Sequence, residues 1–184
     1  GIVDLIDGGR TAAFTGDNCS DYKGHILGDT YAIQGNILLG SEILENMEEE
    51  FLNAEGNLAE KLMASLQGAN VPGADTRCLE DSLSSLSAFI RVAKPENPPN
   101  DLYLHLNVNS VTAHYAQTGE WLEPIDSLQT LYDVWVQNQI NGELGDLVMG
   151  KIQGRSSTED MTIFNSIGNA VQDLVIASML MEKK

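Results

Sequence analysis

The chain has 184 residues, 42% of them apolar, which is enough to bury roughly 70% of the surface exposed on unfolding. It contains no run of about 20 apolar residues of the kind that spans a bilayer. Twenty-seven acids against ten bases give a formal charge of −17, which repels phosphate backbones and anionic lipid and argues against nucleic acid or a membrane as partner. The same charge reads either as a solubility device, its self-repulsion screened within ~8 Å in a salty habitat, or as a surface for a cationic partner or metal.

The opening Gly1-Ile2-Val3-Asp4 has neither the bases nor the apolar stretch of a signal peptide. The expectation is therefore a soluble chain, cytoplasmic or exported if a leader is missing, with its compartment not fixed. Ile2 to Ile6 is short and largely apolar, Asp7-Gly8-Gly9 tolerates positive φ, and Thr11 to Thr15 continues in extended-type residues, which predicts a β-hairpin. Tyr31-Ala32-Ile33 and Ile37-Leu38-Leu39 flank Gln34-Gly35-Asn36, a strand interrupted at Gly35. Cys19 and His25 fall in the loop between.

Ser41 is placed to cap a helix whose apolar face is Ile43, Leu44, Met47, Phe51 and Leu52, with Glu42, Glu45, Glu48 and Glu49 as its solvated side. Asn57 with Glu60 has the form of a capping box, and Leu58, Leu62 and Leu66 repeat every four residues until Gly68. Leu86 to Val92 reads as a strand ended by the turn-rich Lys94 to Asn100. Leu102, Leu104, Leu106 and Val108 then alternate strictly with Tyr103, His105, Asn107 and Asn109, which predicts a strand with one buried face. Asp126 or Ser127 caps a helix carrying Leu128, Leu131, Tyr132 and Trp135. After the polar break at Asn138 to Asn141 comes a glycine-rich stretch. A last helix follows, with Ile163, Ile167, Val171, Leu174 and Met181 near one side. Hairpins followed by paired helices make the fold class α+β.

Thr15, Gly16, Cys19, His25, Gln34 and Asn36 form the first candidate site: a hydroxyl, a thiol, an imidazole and two amides, the residue types of a nucleophile, a base and oxyanion donors. Against this stands His25 as a structural histidine and Cys19 as a locally packed thiol. The second candidate is Gly73-Ala74-Asp75-Thr76-Arg77, where Arg77 either clamps a ligand carboxylate oriented by Asp75 or forms a loop-fixing ion pair with it. Catalytic candidates are thus His25, Asn36 and Asp75, and binding candidates Gln34, Asn36 and Arg77. His105 and His114 lack metal-ligand spacing, and no metal or cofactor is expected. Cys19 and Cys78 are too few for a disulfide scaffold and read either as a pair or as two free thiols. Familiar elbow, phosphate-loop, zinc and dinucleotide signatures are absent. The expected partner is a small anionic or amide ligand, with self-association through an unprotected sheet edge as a further reading.

Ala12-Ala13-Phe14-Thr15-Gly16, Cys19, Gly24-His25, and Tyr31 to Leu38 followed by Gly40 resemble the core of the family called domain of unknown function 1028. Leu58 to Leu62, Gly73 to Cys78, Ser84 to Phe89 and Glu123 to Gln129 continue the resemblance in order, so that it covers residues 1 to about 137. The resemblance implies an incomplete αββα layered sandwich like that of N-terminal-nucleophile hydrolases, and amide-bond hydrolysis by a residue at the mature N-terminus. Gly1 has no side chain for that role, and an earlier stretch of strands is expected before it.

From about residue 142 the pattern changes. Gly142 to Leu147, Gly150-Lys151, Gly154 to Ser157, Thr162 to Gly168 and Ala170 to Leu174 resemble the closing stretch of the ornithine cyclodeaminase family, and the division is placed at 1–137 and 138–184. That resemblance implies a loop plus helix in which Ser166 and Gly168 match a motif near the family's dinucleotide, without the dinucleotide fold or the substrate residues. Three readings follow: a hydrolase-like fragment, a non-catalytic binding or structural module, and an inactive chimera of two partial families.

Overall fold

Pairing of strands begins at once in the computed structural model, which describes residues 1–4, 9–98 and 100–138. Strand β1 (Ile2–Asp4) lies antiparallel to β2 (Arg10–Ala12), with Ile2 opposite Ala12 and Asp4 opposite Arg10. This is the expected first hairpin, its turn lying outside the described residues. Strand β3 (Gly24–Leu27) pairs with β4 (Ala32–Gly35). The sequence predicts a loop here rather than β3, because Gly24 and Gly28 bracket only two apolar residues. Its extended form is set by the partner strand rather than by local propensity.

The alternating segment forms β6 (Leu104–Val108), antiparallel to β5 (Ala88–Val92). Ala88, Ile90 and Val92 are buried with Leu104 and Val108, while Phe89, Arg91, His105 and Asn107 face outward and are exposed.

Helix α1 (Glu42–Asn53) buries Ile43 and Leu44. Ser41 does not cap it, since its backbone is already helical and its side chain makes no cap bond. Leu52, expected on the buried face, is 56% exposed. Helix α2 (Leu58–Gly68) carries the full capping box: Asn57 Oδ1 accepts from Ala59 N–H at 2.8 Å, and Glu60 Oε2 accepts from Asn57 N–H at 2.5 Å. Its buried residues are Ala59, Met63, Ser65 and Gly68, not the leucine repeat, and Leu58 is 51% exposed. Leu62 and Leu66 are half-buried, and Gly68 lets α2 approach the backbone of α1 closely.

A helix not anticipated, α3 (Val111–Thr118), ends at Gly119 with φ +76, the left-handed stop that glycine favours. Helix α4 (Pro124–Asn138) starts two residues before the expected cap, with Pro124 at the first helical position, where its missing N–H costs nothing. Ile125, Leu128 and Tyr132 are buried.

Residues 1–133 make one unit and 134–184 another. Among its described residues the first is an α+β assembly of three two-stranded antiparallel sheets with helices. The predicted C-terminal helix, Ser166 and Gly168 lie outside the described residues. Among the described residues no helix is long and apolar enough to cross a membrane.

Candidate functional site

Hairpin β3–β4 assembles most of the first candidate group. His25 stands directly opposite Gln34 in the strand register. Thr15 Oγ1 lies 2.7 Å from His25 Nδ1; with the ring proton on Nε2 the hydroxyl donates to Nδ1, the elementary unit of a base-activated nucleophile. His25 therefore commits Nδ1 to Thr15 and not to Cys19, whose thiol is free and exposed. Lys23 ties the intervening loop, its ammonium donating to the carbonyls of Asp17 and Cys19 at 3.0 Å each and pairing with Asp21 at 3.1 Å. A Cβ on Gly1 would collide with Gln34 Oε1 and Ala32 Cβ, so the first residue lies against β4. Gln34 and Asn36 are exposed.

The second group closes on itself. Asp75 Oδ1 accepts from Arg77 N–H at 3.0 Å and from Arg77 Nε at 2.9 Å, and Asp75 Oδ2 accepts from Arg77 Nη2 at 2.6 Å. The guanidinium fork is thus filled by its own neighbour, the loop-fixing alternative. Hydrogen bonding from Arg77 holds the Asp75 carboxyl below the usual carboxylate range, against an opposing push from partial burial. Burial is the main cause that raises the pKa of the adjacent, buried Cys78 thiol, and the charge of Asp75 adds to it.

A carboxyl whose folded pKa is depressed contributes stability that is complete above its unfolded pKa and is lost as pH falls through the folded one. The midpoint difference between the parent chain and Asp75→Asn in urea is therefore expected to be full at neutral pH, to shrink as pH falls below ~4, and to vanish only below the depressed folded pKa. Arg77 is exposed, so solvent screening keeps the effect small.

Backbone bonds bring the two groups side by side. Leu38 bridges Asp75 in antiparallel fashion, Leu39 N–H donates to Ala74 at 3.0 Å, and Thr76 N–H donates to the Ile37 carbonyl at 2.9 Å. Ile37 has φ +62, a left-handed backbone that a β-branched residue rarely adopts. Its own N–H bonds the Ser20 carbonyl at 3.2 Å, and together these contacts hold the strained residue that links Asn36 to the Asp75 loop.

Two residues that the sequence reading missed fasten this loop from behind. Ser84, 2% exposed, donates its N–H to Glu123 Oε2 at 2.8 Å and its hydroxyl to Glu123 Oε1, which also accepts from Ile125 N–H at 3.0 Å. Ser84 in turn accepts from Asp75 N–H at 2.8 Å through its carbonyl. A separation of 39 residues leaves no spacing motif to find. The available signal was an acid directly before Pro124, the position that caps a proline-started helix. His105 lies opposite Arg91 on β6, and His114 lies on α3. Among the described residues no cluster of three potential metal ligands forms.

Small antiparallel hairpins and helices, with a polar loop cluster at one hairpin, define an α+β domain of no single activity. The chain belongs to two families: over residues 1–117 to the family of unknown function DUF1028, and over residues 93–184 to the ornithine cyclodeaminase/mu-crystallin family. The two matches share residues 93–117.

Over 76 residues, 41% of the chain, it is 36% identical to a Delta(1)-pyrroline-2-carboxylate reductase of Bacillus thuringiensis, and 34% identical to a protein of that name from one strain of Bacillus cereus and to one from Colwellia psychrerythraea. The chain spans 22% of the length of these relatives. A crystal structure of a DUF1028 protein from Silicibacter pomeroyi is similar at 26% identity and a TM-score of 0.49, over 78% of this chain and 52% of that one.

Proposed function

We propose that the DUF1028 part of the chain is hydrolase-like, its hairpins belonging to an αββα layered arrangement, and that Thr15 and His25 act on a small amide or ester ligand. The 2.7 Å contact between Thr15 Oγ1 and His25 Nδ1 carries this reading. Attack of the Thr15 hydroxyl oxygen on a carbonyl carbon would pass its proton to Nδ1. The Gln34 amide opposite His25 is the nearest side chain in register to donate to the developing oxyanion. The resulting imidazolium returns the proton to the leaving amine or alcohol, and water then releases the acyl group.

Turnover of a panel of nitrophenyl esters and anilides tests it. Thr15→Val and His25→Ala are each expected to lower the rate by about 100-fold, within the range of a lost general base or nucleophile, with thermal unfolding unchanged. Turnover that survives both substitutions sinks the proposal.

A second reading, a non-catalytic binding or structural module, draws support from the closed Asp75–Arg77 pair, which leaves Arg77 no free fork for a ligand. On that reading Arg77→Ala leaves anion binding unchanged by calorimetry. The similarity to reductases concerns about a fifth of those proteins, and we assign no reductase or cyclodeaminase turnover to this chain.

A further inference from the structure

Outside the Thr15–His25 site, the outward face of the β5–β6 hairpin gathers a set of residues that the fold does not use. Phe89 stands opposite Asn107 and Arg91 opposite His105 in the register, so one aromatic ring, one guanidinium, one imidazole and one amide share a small surface. They line a cleft of about 270 Å³, to which Ser87 and Asn109, both next to the Ala88–Val108 pair, also contribute. Among the described residues no carboxylate lines it, in a chain with 27 acids. None of the ion pairs among the described residues involves Arg91. Its guanidinium carbon instead sits 5.5 Å from the centre of the Phe89 ring, and that ring is 61% exposed. The contrast with Arg77, whose fork is filled by Asp75, is direct.

We propose that this face binds a small planar monocarboxylate. A guanidinium held over a ring presents a planar fork that matches a carboxylate in two parallel hydrogen bonds. The exposed Phe89 ring offers a flat apolar wall for the ligand's body, and His105, Asn107 and Asn109 surround it with polar atoms. The net charge of −17 selects among anions: long-range repulsion grows with ligand charge, so a monoanion is admitted at least cost and a phosphate dianion is disfavoured.

The test is calorimetry and backbone amide shift titration of the whole chain with sodium benzoate at low ionic strength, beside cyclohexanecarboxylate and inorganic phosphate. Saturable benzoate binding is expected, with shifts confined to residues 87–91 and 105–109, and weaker binding of the non-planar acid and of phosphate. Arg91→Ala should weaken benzoate binding by about tenfold or more, the loss of one charge-assisted pair, and Phe89→Ala several-fold, whereas Arg77→Ala should leave it unchanged. Both altered side chains are exposed, so the fold survives them, and a thermal melt of each variant checks this. The proposal is overturned by no saturable binding, by binding that Arg91→Ala does not change, or by phosphate binding as tightly as benzoate.

Discussion

Replacing Gly68 with alanine should lower the stability of the chain by about 1–3 kcal/mol, and with valine by more, even though both are better helix formers. Gly68 is buried in the last turn of α2, and a Cβ built there would stand 2.6 Å from the Asn46 carbonyl oxygen, 2.7 Å from its carbonyl carbon and 2.9 Å from Met47 N. Those atoms are the backbone of α1, not the end of a flexible side chain, so relief requires the helices to move apart. Separation would loosen the layer of Ala59 and Met63, which are 0% and 2% exposed. Helix propensity alone predicts the opposite sign, a gain of ~1 kcal/mol for alanine. Urea unfolding of Gly68→Ala therefore decides between them: a fall in midpoint at constant slope supports the close helix contact, and a rise rejects it.

Gly68 also shows where sequence reading stops. It was legible as the end of a helix, which it is, but its burial against α1 was not, because the neighbour that needs the missing side chain lies about twenty residues away. The same division runs through the fold. Strict alternation gave β6, and the Asn57–Glu60 spacing gave the start of α2, because both signals are carried by residues within one element. Strand β3 and helix α3 escaped because neither has a sustained apolar period, and the pairing of β3 with β4 is what makes it extended. The leucine repeat at 58, 62 and 66 marks one face of α2, and it takes the partner helix to say how deeply that face is buried.

The candidate site divides likewise. Gln34 and Asn36 stand out in the sequence as polar residues flanking Gly35, and Asp75 and Arg77 as a carboxylate and a guanidinium two residues apart; the structure places their loops together through Leu38–Asp75 and Ile37–Thr76. The partner of His25 is not legible in the sequence. Cys19, six residues away, is the nearer candidate nucleophile, whereas the hydrogen bond goes to Thr15, ten residues away and across a loop that only folding closes.

Glu123 should carry the second large effect. Its carboxylate receives two N–H groups and one hydroxyl, from Ser84 and Ile125. Removing it in Glu123→Ala strands the Ser84 N–H in a residue only 2% exposed, at a cost of about 3 kcal/mol for the charge-assisted bonds together. Glu123→Gln is the sharper variant, because it keeps the shape. Whichever way the amide is turned, its NH₂ faces a backbone N–H, that of Ser84 or that of Ile125, so one donor loses its acceptor and the expected loss is about 1–3 kcal/mol. Ser84→Ala removes only the hydroxyl bond and should cost about 1 kcal/mol, with the double variant less than additive because the two share one contact. Since the Ser84 carbonyl holds Asp75 N–H, the damage should also travel: amide exchange at Asp75 and Thr76 is expected to quicken in Glu123→Ala. If the midpoint falls while those two amides exchange as before, Glu123 secures the start of α4 alone. If both change, the acid before Pro124 is also what keeps the Asp75–Arg77 loop in place.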